Sequence, residues 1–141
     1  MVEVSELAQS PFLADIPESD IQQLAQIAIL SNFHEGTVLF QAKQPARSLF
    51  ILKSGAVLLC FPSGRALVVR QTGQALGWSS LVSPLHYTAT GICLADSVFY
   101  EFRNAELFDL FRMNTPLASR IMAKIEAVMQ ERKPYRRRKA A

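Results

Sequence analysis

Between residues 37 and 102 the sequence is a succession of short β-prone runs, each ended by a turn signal. Thr37 to Phe40, Leu49 to Leu52, Val57 to Phe61 and Leu67 to Val69 are rich in β-branched and aromatic side chains. Gln44-Pro45, Ser54-Gly55 and Pro62-Ser63-Gly64 stand between them. Runs this short, joined by tight turns, read as antiparallel strands. Pro-Ser-Gly between two apolar runs predicts a hairpin. A further strand pair is expected around Thr88–Ala95 and Ser97–Phe102.

Both flanks carry a different period. Residues 2–31 read as helical: Leu7, Phe12, Leu13 and Ile16 cluster around Pro11 and Pro17, and Ile21, Leu24, Ile27 and Ala28 recur at helical spacing. Ser19 or Pro17 marks the start of the second helix. On the far side, Asn104 is the expected N-cap of a short helix bearing Leu107, Leu110 and Phe111. Thr115-Pro116 then gives a cap followed by proline at the first helical position. The helix after it, about 116–132, carries Leu117, Ile121, Ile125 and Val128 on one stripe, with Ala118, Met122 and Met129 alongside. That face is wider than a lone surface helix needs, and predicts a homodimer through a parallel helix pair. Helix, short antiparallel strands, then helix is an α+β arrangement built on a β-sandwich or roll.

The chain has 141 residues, enough for one domain and a short appendage. Of its 15 Lys and Arg, six lie at Arg132, Lys133, Arg136, Arg137, Arg138 and Lys139, with no acid beyond Glu131. Residues 1–131 hold the other nine bases against 12 acids, a net charge of −3. The body, 1–131, is therefore not a basic nucleic-acid-binding surface. Residues 133–141 are expected to be a solvated, disordered basic tail, with non-specific contact to nucleic acid or an anionic membrane as its sharper reading. No apolar stretch approaches the ~20 residues of a membrane span, and no secretory leader is expected. Cys60 and Cys93 are too few for a disulfide framework, so a reduced cytoplasmic setting is expected. His34 and His86 lack metal-ligand spacing, and no metal site is expected. His86 reads as a surface or pocket-rim residue. No nucleophilic triad or P-loop is present, so an enzyme is not expected.

Two stretches resemble the cyclic nucleotide-binding domain, the sensor of the cyclic-AMP receptor protein (the Crp/Fnr type) and of kinase regulatory subunits. The first runs from Gly36 through Leu49-Phe50-Ile51-Leu52 to Gly55 and Val57. It is similar to the family's glycine, apolar pair, polar turn and L-[FY]-x-[IL]-x-x-G-x-V; Lys43 stands where the family usually has glycine. The second, Gly73-Gln-Ala-Leu-Gly77-Trp-Ser-Ser-Leu81 to Tyr87-Thr-Ala-Thr90, has the frame of the phosphate-binding cassette. The resemblance covers roughly residues 10–131. It implies an antiparallel β-roll or jelly-roll sandwich flanked by N-terminal and C-terminal helices, and a non-enzymatic sensor or adaptor that signals through its C-terminal helix to an effector.

In nucleotide-binding members of the family, a glutamate after the cassette glycine accepts from the ribose and an arginine ten residues past that glycine pairs with the cyclic phosphate. Here those positions are Trp78 and Tyr87. Trp offers one donor and Tyr one hydroxyl, neither a charge. Losing the phosphate ion pair costs about 2–3 kcal/mol and the ribose bond about one more. That is a few hundredfold in affinity, on the order of millimolar from a micromolar start. Cyclic AMP or cyclic GMP binding is thus expected to be lost or altered. The expected ligand-facing residues are Gly77, Trp78, Ser79, Ser80, Tyr87, Thr88, Ala89 and Thr90, lining either a plugged site or one for a neutral, planar or weakly anionic ligand. Backbone N–H groups near Ser79 and Ser80 are expected to remain as anion donors. Arg65 or Arg70 is expected to supply any displaced cation. Two alternatives follow from the resemblance: a genuine cyclic-AMP or cyclic-GMP sensor, and a DNA-associated regulator that lacks its own winged-helix domain.

Overall fold

The computed structural model describes residues 2–137. Two helices open the chain, α1 (Val4–Leu7) and α2 (Glu18–Ile27), with a 3-10 turn at Pro11–Leu13 between them. Pro17 is the N-cap of α2, as its position suggests. Eight strands follow: β1 (Ile29–Phe33), β2 (Val38–Phe40), β3 (Ser48–Ser54), β4 (Val57–Cys60), β5 (Ala66–Val69), β6 (Ala75–Leu76), β7 (Thr90–Cys93) and β8 (Ser97–Arg103). Helices α3 (Asn104–Met113) and α4 (Thr115–Arg136) close the described chain.

The strands form two four-stranded antiparallel sheets, ordered β1-β8-β3-β6 and β2-β7-β4-β5. The β4–β5 hairpin turns at Pro62-Ser63-Gly64, where Phe61 N–H donates to the Arg65 carbonyl at 2.9 Å. The expected pair at Thr88–Ala95 and Ser97–Phe102 is corrected. Both strands exist, but β7 joins β4 and β2 while β8 joins β1 and β3, so the chain crosses between sheets at Ala95. Strand structure also begins inside the stretch 2–31 read as helical, because Ala28 is already extended at ψ 138° and β1 starts at Ile29.

Strand alternation divides the core in two. Leu49 and Ile51 on β3 face the helices, packing with Leu7, Leu24, Leu107 and Leu117. Phe50 and Leu52 face the space between the sheets, with Val57, Leu59, Leu76 and Phe99. One strand thus carries apolar side chains on both faces because each face is covered by a different layer. Phe40 stacks on Phe50 at 6.2 Å between centroids and Phe50 meets Phe99 edge-on at 5.6 Å.

The C-terminal helix differs from expectation in three ways. Its cap is Asn114, whose side-chain oxygen accepts from Leu117 N–H at 3.1 Å, and Thr115 is already helical. Its stripe of Leu117, Ile121 and Ile125 is fully buried in this domain's own core, with Val128 half-buried beside it. These four residues were expected at a dimer interface; the domain itself covers that face. The helix also continues past residue 132 to Arg136, through Pro134. Tyr135 stacks on Phe61 at 5.9 Å and its carbonyl accepts from the Ser63 hydroxyl, which anchors the last turn despite the proline. Residues 133–136 are therefore helix rather than loose tail; residues 138–141 lie outside the described residues. Asn104 does not cap α3 either. Its amide donates to the Ala46 and Ser80 carbonyls, both at 3.0 Å, tying the start of α3 to the cassette.

Candidate functional site

Strand β6 delivers the chain to Gly77, which adopts φ 75° and starts the 3-10 turn Trp78–Leu81. A side chain at position 77 would bring its Cβ to 2.8 Å from the Ser48 carbonyl, so glycine is required by both conformation and space. Ser79 and Ser80 are buried within the turn. The Ser80 N–H and hydroxyl both donate to the Gly77 carbonyl, at 3.0 and 2.8 Å. Ser80 therefore spends its donors inside the turn, correcting the expectation that they stay available to an anion.

Tyr87 does not present its hydroxyl to the cavity. The hydroxyl donates to the Ser48 carbonyl at 3.1 Å and accepts from Ser48 N–H at 3.3 Å. Its ring stacks on Phe40 with centroids 4.4 Å apart and planes 17° from parallel. Burial pushes the phenol above its ordinary pKa, more than the backbone hydrogen bonds to Ser48 and Arg47 pull it down. Trp78 is 7% exposed, with the Arg136 guanidinium 5.3 Å from its ring centroid. Ala89 is buried and Thr88 half-buried at the cavity wall. Thr90 is turned to structural use, its hydroxyl oxygen accepting from Ala42 N–H at 3.0 Å.

The residue that sequence reasoning missed is Arg132. It is 5% exposed and lines the cavity together with Trp78 and Tyr87. Its Nη2 donates to the Ala75 carbonyl at 2.9 Å, just before the cassette turn. Burial lowers its pKa, while neighbouring Glu131 acts the other way; an arginine keeps its charge even so. A signal was present: Arg132 follows Ile125 by seven residues, two helical turns, and so continues the buried stripe. The two arginines named as displaced cations are elsewhere. Arg65 donates to the Arg137 carbonyl on the outer side of the hairpin, and Arg70 is exposed beyond β5; neither lines the cavity.

Phe40, Leu59, Phe61, Trp78, Tyr87 and Arg132 leave about 20 Å³ between them, room for about one water. A site for a drug-sized small molecule is on the order of 300 Å³ or more. Arg132, near the end of α4, forms one wall of this space. Among the described residues no group of three His, Cys, Asp or Glu side chains could hold a metal ion, and no helix is long and apolar enough to cross a membrane.

Residues 30–114 match the family described as cyclic nucleotide-binding domain. A solved structure of a putative cyclic nucleotide-binding protein from Geobacter metallireducens is 26% identical. It superposes with a TM-score of 0.84, covering 94% of this chain and 98% of that one. The regulatory subunit of a cAMP-independent protein kinase A from Trypanosoma brucei shares the fold at a TM-score of 0.77 and 16% identity, over 90% of this chain and 44% of that one. Glutaminase 1 of Bradyrhizobium diazoefficiens is 32% identical over 133 residues, 92% of this chain but 21% of the relative's length. The chain spans about a fifth of the length of the curated relatives it matches.

Proposed function

The chain belongs to the cyclic nucleotide-binding domain family, and from that premise we propose that it is a non-enzymatic regulatory domain whose nucleotide pocket is closed by its own side chains. The observation that carries this reading is the 20 Å³ left between Trp78, Tyr87 and Arg132. A cyclic nucleotide would have to expel the Trp78 indole and break the Tyr87–Ser48 bonds, and would gain neither an arginine nor a glutamate at the family positions. Among the described residues Arg132 is the one cation within the cavity lining, and it is already committed to Ala75.

Output passes through α4. Its first turn is tied to α2, where Asn114 and Arg120 hold the two oxygens of Asp20 at 3.0 and 3.2 Å. Its last turns close the pocket through Arg132, Tyr135 and Arg136. Any event that opens the pocket therefore has to move the end of this helix. An effector protein, or another module of a longer chain, would read that movement.

The chain is proposed to pair with a second copy through the flank of α4 that the domain leaves open. Met122 and Met129 lie there, half-buried, and with Val82 and Ala123 they line an open groove of about 670 Å³. The double variant Trp78→Glu with Tyr87→Arg tests the pocket assignment. Calorimetric titration with cyclic AMP is expected to show tighter binding than the unmodified protein, because it restores the family's ribose and phosphate partners. Equal affinity in a folded double variant would count against the assignment.

A further inference from the structure

Outside the closed pocket, on the far side of Tyr87, lies a second cleft of about 410 Å³. Its basic side chains are Lys43, His86 and Arg136, and among the described residues no carboxylate lines it. Among the described residues none of the three has a carboxylate oxygen within 4.0 Å. Pro62 and Pro84 form apolar walls, and the half-buried Thr88 hydroxyl bonds no other described residue.

Three chain segments bring these bases together, and each is held by backbone contacts. Lys43 N–H donates to the Tyr87 carbonyl at 2.8 Å, Tyr87 N–H to the Gln44 carbonyl at 3.0 Å, and Pro45 bridges to His86. That ladder sets Lys43 beside His86. Arg136 arrives from the end of α4, fixed by Tyr135 on Phe61 and by its own Nη1 on the Met129 carbonyl at 3.2 Å.

Lys43 is the most informative of the three. It sits at φ 74°, in the left-handed region where a β-carbon is strained and glycine is favoured. The turn would relax with glycine, yet it carries an exposed lysine that lines a cleft with two other bases. Lys43 and Arg136 carry like charges with no carboxylate within 4.0 Å among the described residues, and backbone strain of this kind persists mostly at functional positions.

We propose that this cleft binds the phosphate group of a small phosphorylated metabolite, with Lys43 and Arg136 pairing with its oxygens, His86 and the Thr88 hydroxyl donating to them, and the ligand body lying against Pro62 and Pro84. Because Arg136 also covers Trp78, an occupied cleft would bear directly on the last turn of α4. The site stands beside the closed-pocket reading and does not depend on it.

The test is calorimetric titration of the whole chain with pyrophosphate, AMP, inorganic phosphate and uncharged adenosine. Saturable binding of pyrophosphate or AMP at sub-millimolar concentration is expected, with adenosine binding at least tenfold more weakly. Inorganic phosphate against AMP separates a free anion from a phosphorylated organic ligand. Lys43→Gly and Arg136→Gln should each weaken binding roughly tenfold, the worth of one charge-assisted hydrogen bond; Arg70→Gln should not. Lys43→Gly is the cleaner variant, because it should melt no lower than the parent while losing the ligand. No saturation by AMP and pyrophosphate at millimolar concentration, adenosine binding as well as AMP, or unchanged affinity in both cleft variants would overturn the proposal.

Discussion

At the scale of single residues, the two family positions are filled by buried aromatic side chains. Tyr87 illustrates it: the hydroxyl exchanges two hydrogen bonds with Ser48, and the ring completes a stack with Phe40 and Phe50. Tyr87→Phe keeps the stack and leaves the Ser48 N–H and carbonyl without their partner, so it should cost about 1–2 kcal/mol in denaturant unfolding. A loss within a few tenths of zero would show that water replaces the hydroxyl and that the ring is not locked. The substitutions at Trp78 and Tyr87 were legible in the sequence, because a motif's frame survives when its ligand groups do not. Arg132 was not. Six bases at the chain's end read as one solvated run, and only the helical period, carried past Ile125, separates the buried one from the rest.

At the scale of elements, α4 shows why an apolar stripe does not by itself name its partner. Leu117, Ile121 and Ile125 have the pattern of a dimer seam, yet the domain's own core covers them. Ile121→Glu should therefore unfold the protein: removal of such a side chain alone costs about 2–5 kcal/mol, and a buried unpaired charge adds to it. Ala123→Glu, exposed on the open flank, should leave the melting temperature of the monomer nearly unchanged and convert a dimer to a monomer in light scattering. A monomer before the substitution, or a dimer after it, would contradict the proposed pairing. The strands were readable because turn residues punctuate them; which sheet each joins was not, since β7 and β8 adjoin in sequence but pair with different neighbours. At the other end, α1 is tied down by Glu6, which accepts from the Tyr100 hydroxyl at 3.0 Å and pairs with Lys53 at 3.3 Å. Those hydrogen bonds hold the Glu6 carboxyl below its ordinary pKa of 4.5. A depressed carboxylate stabilises the fold above its unfolded pKa, and that contribution is lost as pH falls through the folded value. Amide exchange in α1 should accordingly speed up as pH falls below about 4.5, relative to the exchange of β3, and the Glu6→Gln variant should not show this pH response.

At the scale of the whole molecule, the family architecture is present and the space at its cassette measures about 20 Å³. Helix α4 runs from the Asp20 anchor at one end to the pocket wall at the other, so closure is built into the same element that would carry a signal. Cyclic nucleotides are therefore expected not to occupy this domain at useful concentration. Isothermal titration of the unmodified chain with cyclic AMP, and then with cyclic GMP, tests it most directly. The loss of the phosphate and ribose partners, about 3–4 kcal/mol together, predicts no saturable binding short of roughly millimolar nucleotide. A dissociation constant of a few micromolar or tighter for either nucleotide would overturn the closed pocket, and would mean that Trp78 and Arg132 swing out to admit the ligand.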